Sequence, residues 1–224
     1  MRPLRIGWMA FGLVLAPGLF SGRQAEVRAV PTPKEKITYL DLKSKANHKL
    51  KDDFHTTMFP GNNLAELPRG EQKFAGVKFL VGDGLIQLGS TEVKDLPDKV
   101  EGIPVGQAFA KLYILHGTGY QADENAVIGS YVVHYADKSR EKIDIIYGKD
   151  VRDWWDGQDK NEVSRGKLAW QGSNEAVKKR DVKLRLFLAT WDNPHPKKKV
   201  DRIDFISSRT KAAPFCVAMT VQEK

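Results

Sequence analysis

The sequence predicts an all-β protein, a two-sheet antiparallel sandwich of jelly-roll type, and three observations carry that expectation. Short runs rich in Val, Ile, Leu, Phe and Tyr recur along the chain, each bounded by Gly, Pro, Asp or Asn. Several of these runs alternate with the period of two that a half-buried strand requires. No stretch sustains a 3.6-residue apolar period long enough for a helix. Of the 224 residues, 41% are apolar, 29% charged and 9% aromatic, and a chain of this length buries roughly 70% of its unfolded surface without a staple. The single cysteine, Cys216, excludes an intramolecular disulfide framework and any Cys-rich zinc or iron–sulfur site.

Taken in order, the chain opens with Arg2 and Arg5 ahead of an apolar stretch from Ile6 to Phe20, after which polarity returns at Ser21-Gly22-Arg23-Gln24. This is the layout of a secretory signal peptide. The stretch is interrupted by Gly7, Gly12, Pro17 and Gly18 and is short for a membrane span, which needs about 20 apolar residues. Residues 1–29 are therefore read as an export signal, with a retained anchor as the alternative. Once the signal is cleaved no membrane span is expected, and the protein belongs in the periplasm, the cell envelope or the medium. Residues 30–36 form a Pro-containing linker, and 37–224 form the sandwich domain. Strands are expected near 37–42, 74–81, 84–89, 109–116, 127–136, 141–148, 183–191, 200–207 and 214–221, with a long insertion over 149–182.

The alternation is specific. Tyr131, Val133 and Tyr135 share one face of their strand, while Val132 and His134 share the other. Leu184, Leu186 and Leu188 point one way; Arg185, Phe187 and Trp191 point the other, and one of these faces is expected to be core. Ala136-Asp137-Lys138-Ser139-Arg140 reads as a tight hairpin, and so does Gly82-Asp83-Gly84.

Charge narrows the function classes. The chain carries a formal net charge of +8, and residues 1–29 hold a net +3 of it, leaving +5 on the remaining 195 residues. What remains is dispersed, and the two dense runs, Lys178-Lys179-Arg180 and Lys197-Lys198-Lys199, sit beside turn residues as edge guards. No nucleic-acid partner is expected. Gly117-Thr118-Gly119-Tyr120-Gln121-Ala122 matches a dinucleotide loop in letters, but it continues into another strand rather than opening a helix. No G-x-S-x-G motif occurs, and the histidines show no helical metal-ligand pair. Cys216 alternates with apolar neighbours and reads as a buried thiol. Acids are plentiful, yet no pair stands out for glycoside hydrolysis. The chain is therefore read as a non-enzyme.

Two constellations remain. Asp150, Asp153, Asp156 and Asp159 surround Trp154-Trp155 and Gly157 in one loop. Carboxylates on a glycine-bearing loop can hold calcium through oxygen ligands, although the spacing fits no standard calcium loop and a solvated acidic turn is the competing reading. Beyond the leader, every tryptophan (Trp154, Trp155, Trp170 and Trp191) falls within 154–191. Paired loop aromatics can make a platform for the apolar face of a sugar; the alternative is that these rings close one end of the sandwich.

The runs Leu40-Asp41-Leu42, Asp52-Asp53-Phe54, Leu67-Pro68-Arg69-Gly70 and Phe74-Ala75-Gly76-Val77-Lys78-Phe79 resemble the start of galactose-binding-like β-sandwich modules of secreted bacterial, planctomycete-type proteins. The later stretches Leu115-His116-Gly117-Thr118-Gly119, Ile128 to Tyr135, Tyr147 to Trp155 and Trp191-Asp192-Asn193-Pro194 are similar to the same group, which includes carbohydrate-binding modules found beside glycoside hydrolases. The resemblance covers about 37–220. It implies a noncatalytic module, sometimes with a structural calcium. Such modules bind sugars, lipids or proteins, so the fold leaves the ligand open.

The function expected is an exported carbohydrate-binding module that uses His116, Trp154, Trp155, Trp170 and Asn193, without a cofactor unless Asp150, Asp153 and Asp156 hold calcium. An envelope protein-interaction or scaffold domain is the alternative, and an exported glycoside hydrolase the third. Nothing in the sequence sets an oligomeric state.

Overall fold

The structure, a computed structural model, describes residues 36–54, 59–157 and 159–223. The expected export signal and nearly all of the linker lie outside the described residues. The strands are β1 (Ile37–Tyr39), β2 (His48–Lys49), β3 (Gly70–Phe74), β4 (Val77–Val81), β5 (Gly84–Gln87), β6 (Lys99–Gln107), β7 (Lys111–Gly119), β8 (Val127–Tyr135), β9 (Arg140–Ile146), β10 (Lys167–Gly172), β11 (Leu184–Asp192), β12 (Val200–Ser207) and β13 (Ala213–Gln222). No helix occurs among the described residues, so none is long and apolar enough to cross a membrane.

The strands form an antiparallel β-sandwich. A seven-stranded sheet runs β10-β11-β7-β13-β5-β2, with β1 also paired to β13, and a four-stranded sheet runs β6-β12-β8-β9. β3 and β4 make a separate hairpin. The centre of the larger sheet is β13, whose sequence APFCVAMTVQ is nearly continuous apolar and whose residues are buried up to the last. It pairs along its length with β7. On its other edge β5 takes Phe215 and Cys216, while β1 takes Thr220 to Gln222. Two short strands thus share one edge end to end, and the sheet splits beside Val217.

Both faces of the larger sheet are buried. One meets the smaller sheet in a core that includes Leu112, Ile114, Tyr131, Val133, Tyr135, Phe187, Ile203, Phe205 and Met219. Tyr131 and Phe205 stack there with centroids 4.7 Å apart. The opposite face meets irregular chain and the β3–β4 hairpin: Leu50, Phe54, Leu64, Leu67, Phe79 and Trp154 cover Leu184, Leu186, Leu188 and Phe215. β11 was expected to bury one face and buries two. Its leucines enter the outer core, while Phe187, Ala189 and Trp191 pack on the inter-sheet core.

Other differences have local causes. β6 was missed because Gly102, Pro104 and Gly106 punctuate it, and both glycines have positive φ. The expected insertion contains β10, an edge strand whose ladder to β11 is interrupted by a bulge. Gly82-Asp83-Gly84 makes no hairpin: β4 pairs back onto β3, and β5 departs to join β13 and β2. The Ala136–Arg140 turn does join β8 to β9, with Lys138 in the left-handed region at φ 72°.

Candidate functional site

The loop after β9 is organised by charge. Gly148 turns the chain at φ +78°, where an added Cβ would run into the Glu124 carboxylate. Asp150 is buried; Arg165 donates to its two oxygens at 2.6 Å each, and the Ile146 N–H donates at 2.7 Å. Arg152, also buried, donates to Glu124 at 2.6 Å, to Asp159 at 2.7 Å and to the Glu162 carbonyl at 2.9 Å. The Tyr147 hydroxyl donates to the same Asp159 at 3.1 Å. Burial raises the Asp159 carboxyl, but Arg152 and the Asn161 N–H outweigh it and hold the group below its ordinary value.

Asp153 differs. Burial raises its carboxyl to about 6, against the lowering effect of the Trp155 N–H and Arg185. Asp156 closes a local pair with Lys183, accepting its N–H at 2.7 Å. The three candidate calcium ligands thus face different partners: Asp150 faces Arg165, Asp153 faces the Trp155 N–H, and Asp156 faces the start of β11. Among the described residues no group of three or more His, Cys, Asp or Glu side chains is arranged to hold a metal ion.

The tryptophans divide as well. Trp154 is buried, stacked on Phe54 at 4.9 Å and edge-on to Phe215 at 5.8 Å. Trp155 is half-buried; its indole N–H donates to Asn62 Oδ1 at 3.0 Å, and its ring lies 5.3 Å from that of Phe59. Trp170 is half-buried against the outer core. His116 lies in the inter-sheet region, its Nδ1 3.4 Å from the Tyr131 hydroxyl, and burial pushes its pKa down to about 4. The register sets His116 opposite Cys216, whose thiol burial raises to about 12. Asn193 is buried beyond the far end of β11, where it accepts from the Tyr135 hydroxyl at 2.6 Å and donates to the Phe109 carbonyl at 2.9 Å.

The structure therefore brings Trp154 and Trp155 together near the start of β11 and puts Asn193 past its end, about 30 Å away by strand rise. The five expected ligand residues do not share one surface. The Gly117-Thr118-Gly119 run is strand: an added Cβ at Gly117 would sit 2.6 Å from the Phe215 ring on the paired strand.

Grooves open at the surface among the described residues, and two of them bear on function. The larger, about 1090 Å³, follows the split beside Val217 and lies between the residues after β1 and the β4–β5 turn; Tyr39, His48, Arg69, Leu80 and Asp83 are among the residues on its walls. Its side chains are held in place. The His48 ring stands edge-on to Phe54 at 4.8 Å, with Nε2 3.1 Å from the Asp52 carbonyl. Arg69 donates to the Leu67 carbonyl and lies 3.7 Å from Asp83. Asn47 bonds the backbone of Gln87 in both directions at 2.8 Å, fixing the loop to the sheet. Leu80 is 52% exposed at the rim. Sequence reasoning missed this groove. The available signal was the density of Lys43, Lys45, Lys49 and Lys51 around His48, which matches no motif.

The smaller groove, about 430 Å³, runs between Asp156 with loop residues 160–166 and the inner side of β10 and β11, with Arg185 and Phe187 lining it. No protein-family model and no curated protein matches the chain.

Proposed function

We propose that this protein is an exported, noncatalytic module that binds carbohydrate, and that the larger groove rather than the tryptophan pair receives the sugar. The single observation that carries the reading is the make-up of that groove. Tyr39, His48 and the exposed Leu80 offer apolar surface against which the C–H face of a pyranose packs, while Asp41, Arg69 and Asp83 offer donors and acceptors for hydroxyls. The groove's volume, about 1090 Å³, leaves room for more than one sugar ring. His48 and Arg69 are already oriented by their neighbours, which reduces the ordering cost of binding. The reading is of binding rather than turnover, since Asp41 accepts its own loop's Lys43 N–H at 2.8 Å and Asp83 faces Arg69.

A glycan array followed by calorimetric titration tests this. Tyr39→Ala with His48→Ala should weaken binding of the best glycan by at least roughly tenfold, the loss expected for two contact side chains, with little change in melting temperature. Trp155→Ala should leave binding in place. The reading is wrong if no glycan responds, or if the Trp155 variant loses binding and the groove variant keeps it. A protein captured from an envelope extract and retained in excess sugar would favour the scaffold function instead.

A further inference from the structure

Two buried arginines stand on either side of Asp159. Arg152 is ion-paired with both Glu124 and Asp159. Arg185, 4% exposed, makes no ion pair among the described residues; it donates to carbonyls only, those of Asp153 at 2.8 Å, Asp159 at 2.6 Å and, more weakly, Asn161 at 3.4 Å. A guanidinium has five N–H donors, and a buried one is ordinarily paired with a carboxylate. Here the fork is fixed by three carbonyls, lies over the Phe187 ring at 5.5 Å, and lines the smaller groove. Lys167, on the same groove, also makes no ion pair among the described residues.

We propose that this groove is a binding site for a sugar acid, with the ligand's carboxylate received by Arg185 and Lys167. Planar bidentate recognition of a carboxylate is what a pre-oriented guanidinium does best. The rest of the lining selects a polyhydroxy body. Asp156 and Glu162 also face the groove and would repel a second negative charge, but they accept hydroxyl donors, as do Gln171 and the Asn161 side chain. A single carboxylate on a hydroxylated ring therefore fits better than a polyanion. This inference stands on a different groove from the function proposed above, and either can fail alone.

The probe is sodium glucuronate, with glucose as its neutral twin and sodium acetate as the bare carboxylate, added to the full chain labelled for observation of arginine side-chain N–H resonances. The Arg185 Nε–H, slow to exchange because it is buried, should shift with glucuronate at millimolar concentration, little with acetate and not with glucose. Lys167→Ala, an exposed change that leaves the fold intact, should weaken the glucuronate response by roughly tenfold, as loss of one charge-assisted hydrogen bond does. Arg185→Lys should abolish it while keeping the charge; if that variant fails to fold, the Lys167→Ala titration and the resonance shift decide. An unmoved Arg185 resonance, equal shifts from glucose and glucuronate, equal affinity for acetate, or a Lys167→Ala response identical to that of the parent chain would each overturn the proposal.

Discussion

The two faces of the larger sheet are covered by different materials, and the difference shows how cover shapes the surface. On one face a second sheet repeats the pleat of the first, so Tyr131, Val133, Phe205 and their partners interdigitate in a closed layer. On the other, the irregular segments 50–54 and 59–69, the β3–β4 hairpin and Trp154 lie across the strands. The larger groove opens where this cover parts from the split edge of the sheet, and the smaller opens on the inter-sheet side of β10 and β11, where loop residues 160–166 rather than a strand lie against Arg185 and Phe187. Strand cover closes the core, whereas loop cover leaves grooves and is held by ion pairs such as those of Arg152 and Arg165.

The sharpest way to break this comparison is to empty each core in turn. Phe205→Ala and Trp154→Ala should each cost about 3–5 kcal/mol of stability, by transfer and cavity terms. They should differ in where the structure loosens. Trp154→Ala should speed amide exchange first in the irregular cover and the β3–β4 hairpin, while Phe205→Ala speeds it in both sheets together. Equal protection loss everywhere in both variants would mean that the cover does not open separately from the sheets.

Acid probes the same contrast. His116, whose folded pKa of about 4 lies below its ordinary 6.5, stays neutral in the inter-sheet region, so the unfolded chain binds the extra proton and stability falls as pH drops through that window. Asp153, raised from 3.8 to about 6, behaves oppositely: the folded chain takes its proton first, so stability rises as pH falls from 6 toward 3.8. Each effect is worth roughly 3 kcal/mol across its window, and the two nearly cancel. Relative to the parent chain, His116→Leu should gain urea resistance on acidification and Asp153→Asn should lose it. Parallel pH profiles for the two variants would remove the opposition.

Smaller effects sharpen the picture. Gly148→Ala should cost roughly 2 kcal/mol, because the left-handed conformation strains an alanine and its Cβ would push the Glu124 carboxylate away from Arg152; the midpoint of denaturant unfolding reads it. Lys78→Ala removes an ion pair with Glu71 in which both side chains are more than half exposed, and should leave that midpoint unchanged.

The all-β class, the facing of Tyr131, Val133 and Tyr135, the turn at Ala136–Arg140 and the burial of Cys216 were legible because strand periodicity and turn residues are local properties. The charge-bearing loop was legible as a cluster of acids, but its partners were not. Arg165 and Arg185 lie far along the chain from the aspartates they meet, and nothing in their spacing announces the meeting. Trp154 and Trp155 are neighbours in sequence, yet one ring stacks in the outer core and the other reaches Asn62, because successive residues of an extended chain point to opposite sides. The larger groove had no motif at all: His48, Arg69 and Asp83 become neighbours only when β2 and β5 pair and the β3–β4 hairpin folds over them.

Alternation and turn chemistry by themselves determined that this chain makes antiparallel strands and which side of several strands faces the core, since both act over a few residues. Tertiary structure decided which strands share an edge, that the larger sheet is buried twice, that among the described residues Arg152 is ion-paired while Arg185 is not, and where grooves remain. Those outcomes depend on contacts between segments scores of residues apart, whose energies arise only once the sheets have packed.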